Sequence, residues 1–306
     1  MFASGKNMTR LLMYTPHRLG PQGCAKRWTR RAPRSGLLQR GNERVHGRRL
    51  GRARTRARER SEVQEVNQGL ATTDRTGFEA ARAGAAGPPD ELVEELAAAN
   101  ARLETAPADE IVGWAVERFR GSLTLAASFQ DIVLIDLAVR FDPGIEVVFL
   151  DTEAHFPETL AFVEEVRRRY DLNLVVTRPG PDAARWPCGS AQCCEHRKVE
   201  PLRAALAGRQ AWLTSLKRVD APTRAAAPIV SWDASFGLAK VNPLATWTDA
   251  QVAGYLAERG LPEHPLVARG YLSIGCAPTT RPVAPGEDPR AGRWAGLGKT
   301  ECGLHT

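Results

Sequence analysis

The chain has 306 residues, 43% hydrophobic and 25% charged, enough to bury a sizeable core in one large domain or two smaller ones. Its net charge of +7 hides an asymmetry: residues 1–60 carry 17 Lys and Arg against only Glu43 and Glu59, while residues 61–306 hold 25 basic and 33 acidic side chains. The body of the protein is therefore mildly acidic, and no apolar stretch approaches the roughly 20 residues of a membrane-spanning helix, so a soluble protein is expected.

Residues 1–75 are expected to form a disordered basic extension. Runs such as RWTRRAPRSGLLQR and GRRLGRARTRARER are rich in Arg and Gly and lack sustained apolar periodicity. A nucleic-acid-binding arm, an Arg-rich targeting peptide and a start placed too far upstream all fit such a segment. The alternating Arg and small-residue run has no interleaved aromatics and no recognisable binding module, which weighs against a nucleic-acid partner. Deleting residues 1–60 is expected to leave activity intact.

From Asp90 the spacing predicts a helix over ELVEELAAANARLE, a break at Pro107, and a second helix over DEIVGWAVERF ended by Gly121. A short apolar strand, 123–127, runs through Ser128 and Asp131 into the helix IVLIDLAVRF. A second strand, 145–150, ends in Asp151 and precedes the helix PETLAFVEEVRRRY; a third strand follows at LNLVVT. Alternation of this kind indicates an α/β fold with a parallel sheet flanked by helices. Ligands of such sheets sit beyond the carboxyl ends of the strands, where Ser128, Asp131 and Asp151 fall. After the Pro/Gly-rich loop RPGPDAARWPCGS come Cys193, Cys194 and Lys198, the helix VEPLRAAL, and a fourth strand, 211–214, leading to Ser215 and Arg218. TDAQVAGYLAERG reads as a helix capped by Thr248 and stopped by Gly260. Beyond it the sequence is loop-rich.

Several residues carry chemistry. Backbone amides after the first strand, with the Ser128 hydroxyl, suit phosphate or sulfate oxygens, although an ordinary strand-to-helix turn has the same look. Neighbouring cysteines seldom pair with each other, so Cys193 and Cys194, with the distant Cys276, suit an iron–sulfur or zinc site, against buried structural cysteines as the plainer reading. Lys198, about one helical turn after Cys194, can face the same site and offset thiolate or ligand charge. Arg290 and Arg293 are spaced for capture of a phosphorylated or sulfated group. Cys302 sits on the terminal KTECGLH segment, where a mobile thiol can visit a site and then a partner, with Lys299 and His305 near enough in sequence to favour its thiolate. Six cysteines without a secretory signal point to metal or redox chemistry in a reducing cytoplasm.

Together, SFQDIVLIDLA, VVFLDT, HFPET, CCEHRKVEPL, the 211–225 stretch, KVNPLATWTD, YLSIGCAP, GEDPRAGRW and KTECGLH resemble the sulfonucleotide reductases of sulfate assimilation, the adenylyl-sulfate reductases in particular. The resemblance runs from about residue 120 to 305. It implies an adenine-nucleotide-hydrolase-like α/β fold with a modified phosphate loop and a flexible catalytic tail, divided into a sulfonucleotide-binding domain at 76–265 and a lid and tail at 266–306. It further implies that Cys302 attacks the sulfur of adenylyl sulfate, giving an S-sulfocysteine that thioredoxin or a similar dithiol reduces to release sulfite. Lys198, Arg218, Arg290 and Arg293 would neutralise the phosphosulfate, and Ser128 and Ser215 would contact the nucleotide. Cys193, Cys194 and Cys276 would ligate a [4Fe-4S] cluster.

The resemblance has departures. The family's fourth cluster cysteine is Thr279 here, which leaves a substitute ligand, recruitment of Cys188, or no stable cluster. A glycine usual after Leu-Asp-Thr is Glu153, placing a charge near an anionic ligand, and Ser215 and Lys217 replace glycine and arginine. A cluster-free reductase of the 3′-phosphorylated substrate and a sulfonucleotide-binding paralogue without turnover are the alternatives.

Overall fold

The computed structural model describes residues 87–305; the expected basic extension, 1–75, lies outside them. Helices α1 (Asp90–Leu103) and α2 (Ala108–Arg118) each carry two acidic residues in the first turn and an arginine in the last, both matching the helix dipole. Then follow β1 (Leu123–Ala127), α3 (Val133–Phe141), β2 (Glu146–Leu150), α4 (Pro157–Tyr170) and β3 (Asn173–Thr177). Pro157 starts α4, where its missing N–H costs nothing, and Asp171 stops it in the left-handed region. A short α5 (Ala191–Cys194) passes through a π-helical turn, Glu195–Val199, into α6 (Glu200–Leu206). The remaining elements are β4 (Ala211–Thr214), β5 (Val230–Asp233), β6 (Leu238–Val241) and α7 (Asp249–Glu258). Thr248 and Gln251 form a reciprocal capping box at the start of α7.

The six strands form one sheet in the order β3-β2-β1-β4-β6-β5, parallel except for β5. That edge hairpin is absent from the sequence expectation. Its strands are only four residues long, and β6 pairs in parallel with β4 across the interior, a non-local contact that local periodicity does not reveal.

The sheet buries different residues on its two faces, as the two-residue period of a strand requires. One face packs Leu125, Leu213, Ala239 and Val241 against α2, α3 and α7 in the main core. There Asp136 accepts from Tyr170 (2.9 Å), Tyr255 (2.6 Å) and Arg259 Nε (2.8 Å), fastening α3, α4 and α7 through one buried carboxylate. Burial, then that carboxylate, pushes both tyrosines up to about 12. The other face carries a smaller cluster of Leu202, Leu206, Trp212 and Leu238, on which Leu304 from the end of the chain packs. Residues 266–305 form short 3₁₀ turns and an isolated bridge between Thr280 and Arg293.

Candidate active site

The carboxyl ends of β1, β2 and β4 open into a cavity of about 180 Å³. Ser128 and Asp131 line it from the turn after β1, Thr152 from the turn after β2, and Ser215 and Lys217 from the turn after β4. Lys198 reaches it from the π-helical turn, and Arg224, Arg290, Arg293, Trp294, Glu301, Cys302 and His305 complete the wall. A π-turn has more residues per turn than an α-helix and is frequent at functional sites; here it carries the Lys198 side chain.

Local backbone strain collects at this cavity. Phe129, Glu153 and Trp294 are non-glycine residues with φ of 56°, 57° and 50°. Phe129 is fully buried, edge-on to Phe149 at 5.4 Å, and holds the turn between Ser128 and Gln130 in its sharp bend. Gln130 ties that turn to the C-terminal segment, accepting from Ile274 N at 2.8 Å and donating to Leu272 O at 3.4 Å. At Glu153 the positive φ explains why glycine suits the position. The glutamate itself points outward, 3.7 Å from Arg197, and is not among the residues lining the cavity. The expected negative charge beside the ligand is therefore corrected.

The cavity is cationic. Burial works against the Lys198 ammonium, but the sulfurs of Cys302, Cys276 and Cys194 outweigh it and raise its pKa. Burial and the neighbouring Arg290 instead lower that of Arg293, against the pull of the same three sulfurs. Arg293 stacks on Trp294 with its guanidinium carbon 4.4 Å from the ring centroid, and donates to Ser273 Oγ (3.4 Å) and Ile274 O (3.2 Å). Arg293 Nε and Trp212 Nε1 are buried donors without a partner, both on the cavity wall. Two unsatisfied donors in a cationic pocket suit a ligand bearing anionic oxygens or ring acceptors.

The C-terminal segment closes one side. Cys302 is partly buried at the cavity. Glu301 takes a two-pronged ion pair from Arg224, and His305 stacks on Trp212 with centroids 6.1 Å apart. Burial and the charges of Lys240, Arg224 and Arg290 hold His305 well below the ordinary histidine value, so it is neutral at pH 7 and adds no cation for Cys302. Lys299 also differs from expectation: its ammonium donates to Cys194 Sγ at 3.0 Å and to the carbonyls of Ser190 (3.2 Å) and Gly189 (3.4 Å). The cations beside Cys302 are Lys198, Arg224 and Arg293.

Next to this wall the cysteines gather. Cys193, Cys194 and Cys276 are buried, Thr152 Oγ1 lies 3.5 Å from Cys276 Sγ, and Ser190 caps α5 by accepting from Cys193 N at 3.0 Å. Cys188 lies near Cys276, Cys193 and Thr279. The nearness of Cys188 and Cys276, first among several causes, brings Cys276 down to about 4 and pushes Cys188 up.

Arg218 is the expected residue the structure sets apart. Its guanidinium is tied to Glu104 of the α1–α2 turn and donates from Nε to Ala227 O at 2.8 Å, and it does not line the cavity. Arg224, six residues on, lines the cavity instead. Both arginines lie in one loop motif, and only folding decides which faces inward. Gln130, Thr152, Arg224 and Glu301 were missed as individual residues lining the cavity, although all four lie within motifs already singled out.

Residues 122–282 match the model of the phosphoadenosine phosphosulfate reductase domain. The chain is 45% identical over 225 residues to the adenosine 5′-phosphosulfate reductase of Mycolicibacterium smegmatis, covering 71% of this chain and 95% of that protein. It is 47% identical over 214 residues to the enzyme of the same name from Mycobacteroides abscessus, covering 67% and 90%. Among solved structures, the phosphoadenylyl-sulfate reductase of Candida auris superposes with a TM-score of 0.56 at 28% identity, over 65% of this chain and all of that one. By fold and sequence, the chain belongs to the phosphoadenosine phosphosulfate reductase family of sulfur-group oxidoreductases.

Proposed function

We propose that this protein reduces adenylyl sulfate to sulfite and AMP, with Cys302 as nucleophile. The observation that carries this reading is the presence of Cys302 in one cavity with Lys198, Arg224, Arg290 and Arg293. The names of the relatives at 45% and 47% identity support adenylyl sulfate as the substrate. The Cys302 thiolate attacks the sulfur of the sulfonyl group; a sulfur–sulfur bond forms, the sulfur–oxygen bond to the phosphate breaks, and AMP leaves with that electron pair. Arg290, Arg293 and Lys198 neutralise the charge that builds on the departing phosphate. Ser128 and Ser215, in the turns after β1 and β4, are positioned to contact the nucleotide. A dithiol reductant such as thioredoxin then attacks Cys302 Sγ, sulfite departs, and the second thiol of the reductant frees Cys302 as the dithiol becomes a disulfide.

Buried Cys193, Cys194 and Cys276 offer the soft thiolate ligands that hold a four-iron cluster. Cys193, Cys194 and Cys276 would hold it. When bound, it would supply fixed charge beside Lys198 and Arg293 and a rigid tie between α5 and the 276 turn. Five free cysteines at or near the site accord with a reducing compartment such as the cytoplasm.

Intact mass measurement after mixing the protein with adenylyl sulfate tests the reading: a sulfonate adduct should appear on the C-terminal peptide. Cys302→Ser should bind nucleotide and release no sulfite. A serine variant that still turns over ends the proposal. Parallel assay of the 3′-phosphorylated nucleotide distinguishes the alternative substrate.

A further inference from the structure

The position where this family places its fourth cluster cysteine holds Thr279, whose hydroxyl donates to Cys276 O at 3.4 Å. A threonine hydroxyl keeps its proton at neutral pH and is a poor iron ligand beside a thiolate. A fourth thiol nevertheless reaches the same place from elsewhere in the chain. The segment 187–190 folds over the 279 turn so closely that a Cβ on Gly189 would lie 3.1 Å from Thr279 Cγ2 and 2.6 Å from Leu297 Cδ1. Gly189 has φ of 98°, a conformation and a clearance that only glycine supplies there.

Three further contacts hold this segment. Trp186 stacks on His196 at 6.0 Å with an interplanar angle of 7°. Lys299 donates to the carbonyls of Gly189 and Ser190 and, with the same ammonium, to Cys194 Sγ. Ser190 caps the helix that bears Cys193. These contacts hold Cys188, the neighbour of Gly189, beside the 279 turn and a few residues ahead of the helix that bears Cys193 and Cys194.

We propose that Cys188 is the fourth thiolate of the cysteine cluster and replaces the residue lost at Thr279. The inference rests on the cluster reading above and adds its ligand set: Cys188, Cys193, Cys194 and Cys276. Three thiolates come from one seven-residue stretch and one from the 276 turn. Lys198, Arg293 and Lys299 offset their charge. The substitution at 279 is then a relocation of a ligand across two touching loops.

The test is iron and sulfide content with the visible absorbance spectrum of protein prepared anaerobically. Three chains are compared: the native sequence, Cys188→Ser, and Cys188→Ser combined with Thr279→Cys. The native chain should carry about four irons and four sulfides. Cys188→Ser should lose most of the iron and the visible band. The double variant should regain both, because the thiol introduced at position 279 would take over from the one removed at 188. Far-ultraviolet circular dichroism and AMP binding check the fold of each variant. Unchanged iron and spectrum in Cys188→Ser overturn this ligand assignment alone. Failure of a folded double variant to recover iron also overturns it. A native chain free of iron overturns the cluster reading and this inference with it.

Discussion

Arg224 grips Glu301 with both edges of its guanidinium, Nε to Oε1 at 2.7 Å and Nη2 to Oε2 at 2.7 Å, one residue before Cys302. Both side chains are about nine-tenths buried, and Arg290 adds a longer contact to the same carboxylate at 3.5 Å. The pair fixes the last turn of the chain over the cavity. It also engages two of the guanidiniums that line the cavity.

Glu301→Gln should therefore loosen the docked tail. Losing the charge from a buried, charge-assisted pair costs about 1.5–3 kcal/mol, which corresponds to roughly 10- to 100-fold less docked tail. The rate of sulfonate transfer to Cys302, followed by quenched-flow and mass measurement, should fall accordingly. A rate equal to the native one would show that the ion pair has no part in delivering the thiol.

His305 gives the docked tail a pH dependence. A free histidine titrates near 6.5, whereas the docked ring is held well below that by burial and by Lys240, Arg224 and Arg290. The undocked tail then binds more protons, so docking is complete above about pH 6.5 and weakens as pH falls below it. Hydrogen exchange over residues 299–305, corrected for intrinsic rate, should quicken between pH 7.5 and 5.5. His305→Gln should abolish that change; an identical acid response in this variant would refute the assignment.

Lys198 sits among the sulfurs of Cys302, Cys276 and Cys194. Removing a buried cation from a site of developing negative charge lowers turnover by about 100-fold or more. Lys198→Ala should show this in kcat, with AMP binding much less affected. Equal losses in both would mean that the lysine serves binding only.

Arg218 turns toward Glu104 and Ala227, away from the cavity. Arg218→Ala severs the tie to Glu104 and the hydrogen bond to Ala227, a loss of about 1 kcal/mol for so exposed a pair. Thermal unfolding should shift downward while KM stays at the native value. A raised KM with unchanged stability would return Arg218 to the binding site.

Gly275 controls Arg293 by leaving it room. A Cβ at 275 would overlap the Arg293 guanidinium, whereas the glycine φ there is unexceptional. Gly275→Ala should displace that side chain and lower kcat/KM by about 10-fold or more, in line with loss of one charge-assisted contact. Steady-state kinetics check this, and an unaffected kcat/KM would mean that Arg293 relocates without consequence.

Local sequence by itself determined the alternation of helices and strands, because apolar periodicity, caps and breakers act within a few residues. α1, α2, α4 and α7 fall where Asp90, Pro107, Pro157 and Thr248 announce them. It also marked Lys198, Cys302, Ser128, Ser215, Arg290 and Arg293, all of which meet at one cavity. Only the tertiary structure decided which of Arg218 and Arg224 faces inward, that Lys299 serves Cys194, and that Glu153 turns to solvent. The edge hairpin and the approach of Cys188 to Cys276 belong to the same class. Each depends on which distant segments pack together, and side-chain direction in a loop follows from that packing rather than from the residues on either side.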